Sequence, residues 1–155
     1  KPFVGSFGIV SNDGIPKPNF WGFKILSQLY NKRLTLPVRT NEAVEYAAFV
    51  DGDKTQVLVY AQDQDYFKNE THEISIVVNC KATSVTVQRI DDIHCNPKAE
   101  WIRLGKPDNL TPTQVAQKKK KTALKAENVD FVSENEETRI NLSIKTNDVV
   151  SLNIE

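Results

Sequence analysis

Two aspartates, a histidine and a cysteine lie within five positions near the middle of the chain. They are Asp91, Asp92, His94 and Cys95. Such side chains bind metal ions or act as acids, bases and nucleophiles. A metal site needs three or four ligands from converging segments, and no second cluster of such residues is evident. We therefore favour a structural corner, in which the aspartates bond nearby backbone N–H groups and His94 is packed or hydrogen-bonded.

The chain has only two cysteines, Cys80 and Cys95. A disulfide between them would close a short loop around residues 83–90, and two buried free thiols are an equal alternative. Neither cysteine belongs to a CxxC motif, so the sequence predicts no zinc site. A catalytic pair of either cysteine with His72 or His94 would lack a third group to orient it.

The cluster lies at the corner between a predicted strand and a predicted helix. Residues 85–90 alternate as a strand does, and Pro97 begins a short helix after the corner. A capping box at Thr111 and Gln114 begins a second helix. The sequence therefore predicts a helix-loop-helix insertion over about residues 97–126.

Short segments with a period of two dominate the rest of the chain from residue 44 onward. The predicted strands are residues 44–50, 56–61, 73–78, 84–88, 130–133, 138–144 and 149–154. About seven short strands with one helical insertion indicate a mainly β chain, folded as an antiparallel β-sandwich.

An aromatic helix is predicted ahead of the strands, from Asn19 to Asn31. Asn19 could cap it, and its apolar face includes Phe20 and Phe23. A face this apolar must be buried against something large, either the sandwich or another domain. Residues 1–11 fit a first helix, with a strand as the competing interpretation.

The central stretch resembles glycoside hydrolase family 39, which contains β-xylosidases and α-L-iduronidases. The matching residues are Ile90-Asp91-Asp92, His94, Asn96-Pro97-Lys98, Trp101, Leu104-Gly105 and Pro107. Within the family, Cys95-Asn96-Pro97 and Arg103-Leu104-Gly105 are similar to animal α-L-iduronidases. The linker at residues 12–18 looks more like that of the β-xylosidases.

The resemblance implies that this chain is the C-terminal part of a retaining glycosidase. Residues 1–35 would be the end of a catalytic (β/α)8 barrel with one or two helices. Residues 36–155 would be an accessory β-sandwich that packs against that barrel. The barrel of the same parent protein is then the expected partner, and the carbohydrate substrate is contacted only indirectly. The runner-up interpretation is a stand-alone carbohydrate-binding or structural interaction module.

The resemblance carries no catalytic residue into this chain. Retaining glycosidases hold two carboxyl groups about 5 Å apart, and in barrel enzymes these groups follow barrel strands. The glutamates considered for such a pair are Glu42, Glu45, Glu70 and Glu73. None follows an Asn-Glu barrel-strand motif, so we predict no catalytic residue and no cofactor.

Other polar and aromatic features have simpler interpretations. Lys118 to Lys121 would spread around a helix as a mostly solvated face, with weak attraction for a sulfated substrate as the alternative. Trp101 is expected in the core. The aromatic residues considered for a sugar-stacking platform are Trp21, Trp101, Tyr46, Tyr60 and Tyr66.

Composition limits the classes of partner and compartment. Twenty basic and twenty acidic residues cancel, which gives no reason to expect nucleic acid or an anionic membrane. No apolar run is long enough to span a bilayer. The chain begins at Lys1 without any Met, so we expect a processed or excised piece. Three glycosylation sequons, at Asn69, Asn109 and Asn141, suggest a lysosomal or secreted glycoprotein, with Asn141 the weakest because it lies in a predicted strand.

Overall fold

The computed structural model describes residues 1–3, 7–37, 43–65 and 67–155. Its helices are α1 (Pro18–Leu26), α2 (Pro97–Arg103) and α3 (Pro112–Lys121). Its strands are β1 (Lys32–Arg33), β2 (Val44–Asp51), β3 (Lys54–Ala61), β4 (Thr71–Val78), β5 (Val85–Ile90), β6 (Glu127–Asn128), β7 (Val132–Glu134), β8 (Glu137–Lys145) and β9 (Val149–Ile154). The chain is therefore mainly β, as the sequence predicted.

The strands form two sheets. The larger has the order β1-β2-β3-β9-β5-β6, and the smaller has the order β4-β8-β7. β2 and β3 form a hairpin that closes at the pair Asp51 and Lys54. Gly52 in its turn has φ +57°, a conformation that glycine adopts without steric cost.

One apolar core lies between the two sheets. Alternate residues of β8, among them Ile140 and Ile144, are buried, and the residues between them are exposed. They belong to the same cluster as Val59 of β3 and Leu152 of β9. Since both sheets contribute one face to this core, the predicted antiparallel sandwich is confirmed.

The chain divides into two compact units. The helical unit comprises Lys1–Gln28 and Ile90–Lys125, and the sandwich unit comprises Leu29–Arg89 and Ala126–Glu155. The helical unit has a small core of its own, formed by Phe3, Ile15 and Trp101. This division groups the insertion with the first 28 residues, and the assignment of residues 1–35 to the end of a barrel stays a prediction.

Several predicted bounds differ from the structure. α1 begins at Pro18, one residue before the predicted Asn19 cap, and the side chain of Lys17 at the N-cap makes no capping hydrogen bond. α1 also ends at Leu26 rather than Asn31. Where they are described, residues 1–3 and 7–11 form turns, bends and a bridge from Val10 to Pro16, so no helix forms there.

The short strands β1 and β6 were not predicted. Each has only two residues, which is too short for an alternating pattern to be recognised. The capping box of α3 is present as predicted, with Thr111 and Gln114 bonding each other's backbone N–H groups.

Candidate functional site

The polar corner is built around one carboxylate. Asp91 Oδ1 accepts hydrogen bonds from the backbone N–H groups of Ile93 at 2.8 Å and His94 at 2.6 Å. His94 Nδ1 lies 2.8 Å from Asp91 Oδ2. Burial alone would raise the pKa of Asp91, but the hydrogen bonds from the backbone and ring of His94 outweigh it and lower that pKa. The geometry is that of a turn held by an aspartate, as the structural interpretation predicted.

The thiol in the corner is unsuited to nucleophilic chemistry. Cys95 is buried, and burial, with the charge of Asp91, raises the pKa of its thiol to about 12. Burial also raises the pKa of Cys80. Thiolates are the reactive form, so neither residue is an activated nucleophile. The structure has both cysteines as free thiols, one in each unit, so it contains no disulfide between them.

No carboxylate pair of the glycosidase kind is apparent among the glutamates that the structure describes. Glu45 lies on β2 of the larger sheet, whereas Glu73 lies on β4 of the smaller sheet. Glu70 forms an ion pair with Lys68 at 3.3 Å. Glu42 lies outside the described residues. Among the described residues, no group of three or more His, Cys, Asp or Glu side chains could hold a metal ion.

One lysine of the run from Lys118 to Lys121 is buried. Lys118 is 5% exposed, and burial lowers the pKa of its ammonium group. Lys121 instead reaches Glu100 at 2.8 Å, and Arg103 meets the same carboxylate at 2.6 Å. The hydrogen bond from Lys121, followed by that from Arg103, lowers the pKa of Glu100. Lys119, Lys120 and Lys121 are exposed, which agrees with the predicted mostly solvated face, whereas α3 turns the stem of Lys118 inward.

The candidate aromatic residues do not form one platform. Trp101 is buried beside Phe3, with ring centroids 5.9 Å apart, and its indole N–H donates to the carbonyl of Pro107 at 2.9 Å. Trp21 contacts Phe20 edge-on at 5.0 Å, and its buried N–H has no partner in the part of the chain that the structure describes. Tyr60 is partly buried on β3. Tyr66 lies outside the described residues.

Tyr46 lines a surface cleft in the sandwich unit. The cleft has a volume of about 520 Å³, within the range of small-molecule sites. It is lined by Arg33, Leu34, Thr35, Leu36, Pro37, Glu45 and Tyr46. The hydroxyl of Tyr46 donates to the carbonyl of Pro37 at 2.7 Å, which holds the ring at this wall.

α1 presents two large apolar side chains to solvent. Phe23 and Leu26, three residues apart on one side of the helix, are 63% and 54% exposed. Gly22 lies beside them, and a Cβ added there would meet no described heavy atom within 4 Å. We call Gly22, Phe23 and Leu26 the α1 face. An apolar face with an open glycine suits close approach by another surface.

The three sequons lie in different local structures. Asn69 is exposed in the loop before β4, and Asn109 is exposed in a bend before α3. Asn141 is exposed within β8, the central strand of the smaller sheet. None of the helices in the described ranges has the length and hydropathy needed to cross a bilayer.

Comparisons with known proteins give one consistent family. A family model for glycosyl hydrolases family 39 matches residues 1–136. A β-xylosidase of Caldicellulosiruptor saccharolyticus is 30% identical over 160 residues, covering 99% of this chain and 32% of that protein.

Solved structures show the same fold. A family 39 enzyme of Xanthomonas axonopodis pv. citri matches 100% of this chain and 33% of its own, with a TM-score of 0.77 and 24% identity. A bacterial orthologue of human α-L-iduronidase matches 90% of this chain and 27% of its own, with a TM-score of 0.69 and 14% identity. The chain thus spans about a third of the length of these relatives.

Proposed function

The chain belongs to glycosyl hydrolase family 39, and we propose that it is the non-catalytic C-terminal part of a retaining glycosidase of that family. The reaction of the whole enzyme would be hydrolysis of a glycosidic bond through a covalent glycosyl intermediate, on a β-xyloside or an α-iduronide. The chain itself would supply no acid, base or nucleophile. Its part would be to pack against the catalytic barrel and hold it folded.

The α1 face is the observation that carries this proposal. Burial of a Phe or Leu side chain stabilises a protein by about 1.5–3 kcal/mol relative to leaving it in water. Phe23 and Leu26 leave that stabilisation unused within this chain. The relatives contain about twice as much further chain beyond the matched region. We therefore assign the remaining part of the enzyme as the surface that covers the α1 face.

A pair of serine substitutions in the full-length enzyme tests the docking. Phe23→Ser and Leu26→Ser should each shorten the half-life of glycosidase activity on heating, because each removes a buried interface side chain. Lys24→Ser is the matched control, since Lys24 is exposed on another side of the same helix. Equal half-lives for all three variants would mean that the α1 face stays in water, and docking through it would be wrong.

Activity measurements on the full-length enzyme and on the chain alone test the non-catalytic role. The full-length enzyme should hydrolyse an aryl β-xyloside or an aryl α-iduronide, whereas the 155-residue chain alone should hydrolyse neither. Hydrolysis by the chain alone, retained after careful removal of contaminating enzyme, would contradict a non-catalytic role.

A carbohydrate-binding or structural interaction module is the second candidate, and the cleft at Tyr46 is the observation that favours binding. An aromatic ring beside Arg33 and Glu45 offers both a stacking surface and hydrogen-bonding groups. Calorimetric titration with xylo-oligosaccharides, repeated with Tyr46→Ala, distinguishes the candidates. Saturable binding that Tyr46→Ala abolishes would favour a carbohydrate-binding module. An absence of binding would contradict carbohydrate binding at this cleft.

A further inference from the structure

The smaller sheet ends in a long strand whose outer edge is open. β4 has eight residues and pairs with β8 over its whole length, from Thr71 with Lys145 to Val78 with Thr138. It is the terminal strand of its sheet, and no strand of the described ranges 1–3, 7–37, 43–65 and 67–155 pairs with its other edge. β4 therefore presents a row of backbone groups that can accept another strand.

The pairing of β8 determines which backbone groups of β4 point outward. β7 and β8 are joined by a tight turn at residues 135–136, both with positive φ, so the closing pair Glu134 and Glu137 bonds across that hairpin. The next residue of β8 then bonds to β4, and this alternation continues to Thr146, whose N–H donates to the carbonyl of Glu70 at 2.9 Å. The residues of β4 whose backbone groups face the open edge are Thr71, Glu73, Ser75 and Val77.

The other sheet edges in the described part of the chain are short and charged. β1 consists of Lys32 and Arg33, β6 of Glu127 and Asn128, and β7 of three residues that end at Glu134. Short edge strands with charged side chains discourage pairing with another chain. β4 has neither Lys nor Pro, and its one carboxylate is Glu73. Of these edges, β4 is the one suited to pairing.

We propose that β4 pairs antiparallel with β4 of a second copy of this chain, across a two-fold axis at Ile74. Glu73 then lies opposite the partner's Ser75, and Thr71 lies opposite the partner's Val77. Both pairs join residues with outward-facing backbone groups, so both form ladder bonds.

The neighbouring registers are worse. A shift in one direction would place Glu73 opposite the partner's Glu73, and like charges directly opposite each other destabilise a sheet. A shift in the other direction would move Thr71 beyond the end of the partner's β4 and set Glu73 against the partner's Val77. The register centred on Ile74 avoids both costs.

Arg139 of β8 supplies the charge that complements Glu73. Its Nη1 donates to Ser75 Oγ at 3.5 Å, and its Nη2 donates to Glu137 at 2.8 Å. Directly opposite residues of an antiparallel pair have their side chains on the same face, so the partner's Glu73 would stand beside Ser75 and within reach of the Arg139 guanidinium. The same pairing covers Val77, which is 43% exposed, with the methyl group of the partner's Thr71. The two-fold axis repeats each contact.

Sedimentation of the full-length enzyme at several concentrations tests the pairing, and we expect a dimer. Glu73→Lys should raise the dissociation constant of the dimer by about tenfold, because two favourable charge contacts become repulsive. Adding Arg139→Glu to Glu73→Lys should recover most of that loss, because the pair is then reversed. Glu134→Lys is the matched control, since it makes the same charge change at the far edge of the same sheet, and it should leave the dissociation constant unchanged.

Ser75→Pro tests the ladder bonds themselves. It removes an outward-facing N–H and leaves the bonds to β8 in place, so it should abolish the dimer while the strand stays in its sheet. Amide hydrogen exchange of the β4 peptide should slow as the enzyme concentration rises. This pairing involves the sandwich unit alone and does not rest on the docking of the α1 face.

Two results would overturn the proposal. One is an enzyme that stays monomeric at every concentration, including a monomer in which a strand from the rest of the enzyme already protects the β4 amides. The other is a dimer that Glu73→Lys and Ser75→Pro both leave intact, because its interface would then lie elsewhere.

Discussion

The sandwich unit and the helical unit differ in where they place their apolar side chains. In the sandwich unit, β8 buries alternate residues and exposes polar ones between them. Its exposed large apolar residues, among those described, are Phe67, Val77 and Val132. Those of the helical unit are Phe7, Ile9, Val10, Phe23, Leu26, Ile93, Ile102 and Leu104. The smaller of the two units therefore exposes the larger share.

The two units differ in whether they bury their apolar residues within this chain. The sandwich unit closes its own core between two sheets, so its pattern is complete within one chain. Among the described residues, the core cluster of the helical unit has three buried side chains, Phe3, Ile15 and Trp101. Exposed apolar surface on this scale marks an interaction site. Under the proposed function, the helical unit is the part of the chain through which the rest of the enzyme would attach.

The strongest test of this contrast is a substitution that leaves a cavity in the sandwich core. Ile144→Ala should lower the free energy of unfolding by about 2–5 kcal/mol, because Ile144 is fully buried and its neighbours cannot collapse onto the space. Amide hydrogen exchange along β8 in the full-length protein measures this change in the free energy of unfolding. Ser143→Ala, the adjacent exposed residue, is the control and should stay within about 0.5 kcal/mol of the native value. Similar losses for the two would contradict a closed core.

The helical unit offers a matched pair of tryptophans. Trp101→Phe removes an indole N–H that donates to the carbonyl of Pro107. It should lower the free energy of unfolding by about 1–3 kcal/mol, because that carbonyl is left without its donor. Trp21→Phe removes an N–H that has no described partner, so it should lower the free energy of unfolding by less. Denaturant unfolding compares the two variants. A larger loss of unfolding free energy for Trp21→Phe would contradict this prediction.

The sequence was most informative where local rules decide the structure. β9 occurs at the predicted residues 149–154, and its apolar residues Val150, Leu152 and Ile154 are all buried. The capping box at Thr111 and the corner at Asp91 also formed as predicted, because each depends on bonds within a few residues. Such features need no knowledge of the rest of the fold.

Features that depend on tertiary packing were not predictable in the same way. An apolar helix face has the same pattern whichever surface covers it, so the sequence left open whether α1 packs on the sandwich or on another domain, and the structure leaves Phe23 and Leu26 exposed. Burial of Lys118 within a run of four lysines has no local signature either, since helix geometry alone does not say which side faces the core. The exposed ring of Phe67 is likewise visible only in the structure.

The corner of the helical unit predicts a dependence of stability on pH. The pKa of Asp91 is lowered in the folded state, so its contribution to stability is present above its ordinary value of 3.8 and is lost as the pH falls through the folded pKa. Asp91→Asn should therefore lower the free energy of unfolding by about 1–3 kcal/mol at neutral pH. The gap between native and variant should narrow below pH 3.8. Unfolding curves at several pH values measure it, and a constant gap would contradict a charged Asp91.

The smallest expected effect is the loss of one of two surface ion-pair groups, one in each unit. Glu100 receives both Lys121 and Arg103, whereas Glu137 meets only Arg139 among the described pairs, at 2.8 Å. Glu100→Gln should lower the free energy of unfolding by less than about 1 kcal/mol, and Glu137→Gln should change it even less, since exposed pairs are weak and screened. Raising the salt concentration should shrink both differences. A salt-independent loss at Glu100 would show that its carboxylate acts through packing or hydrogen bonding rather than through its charge.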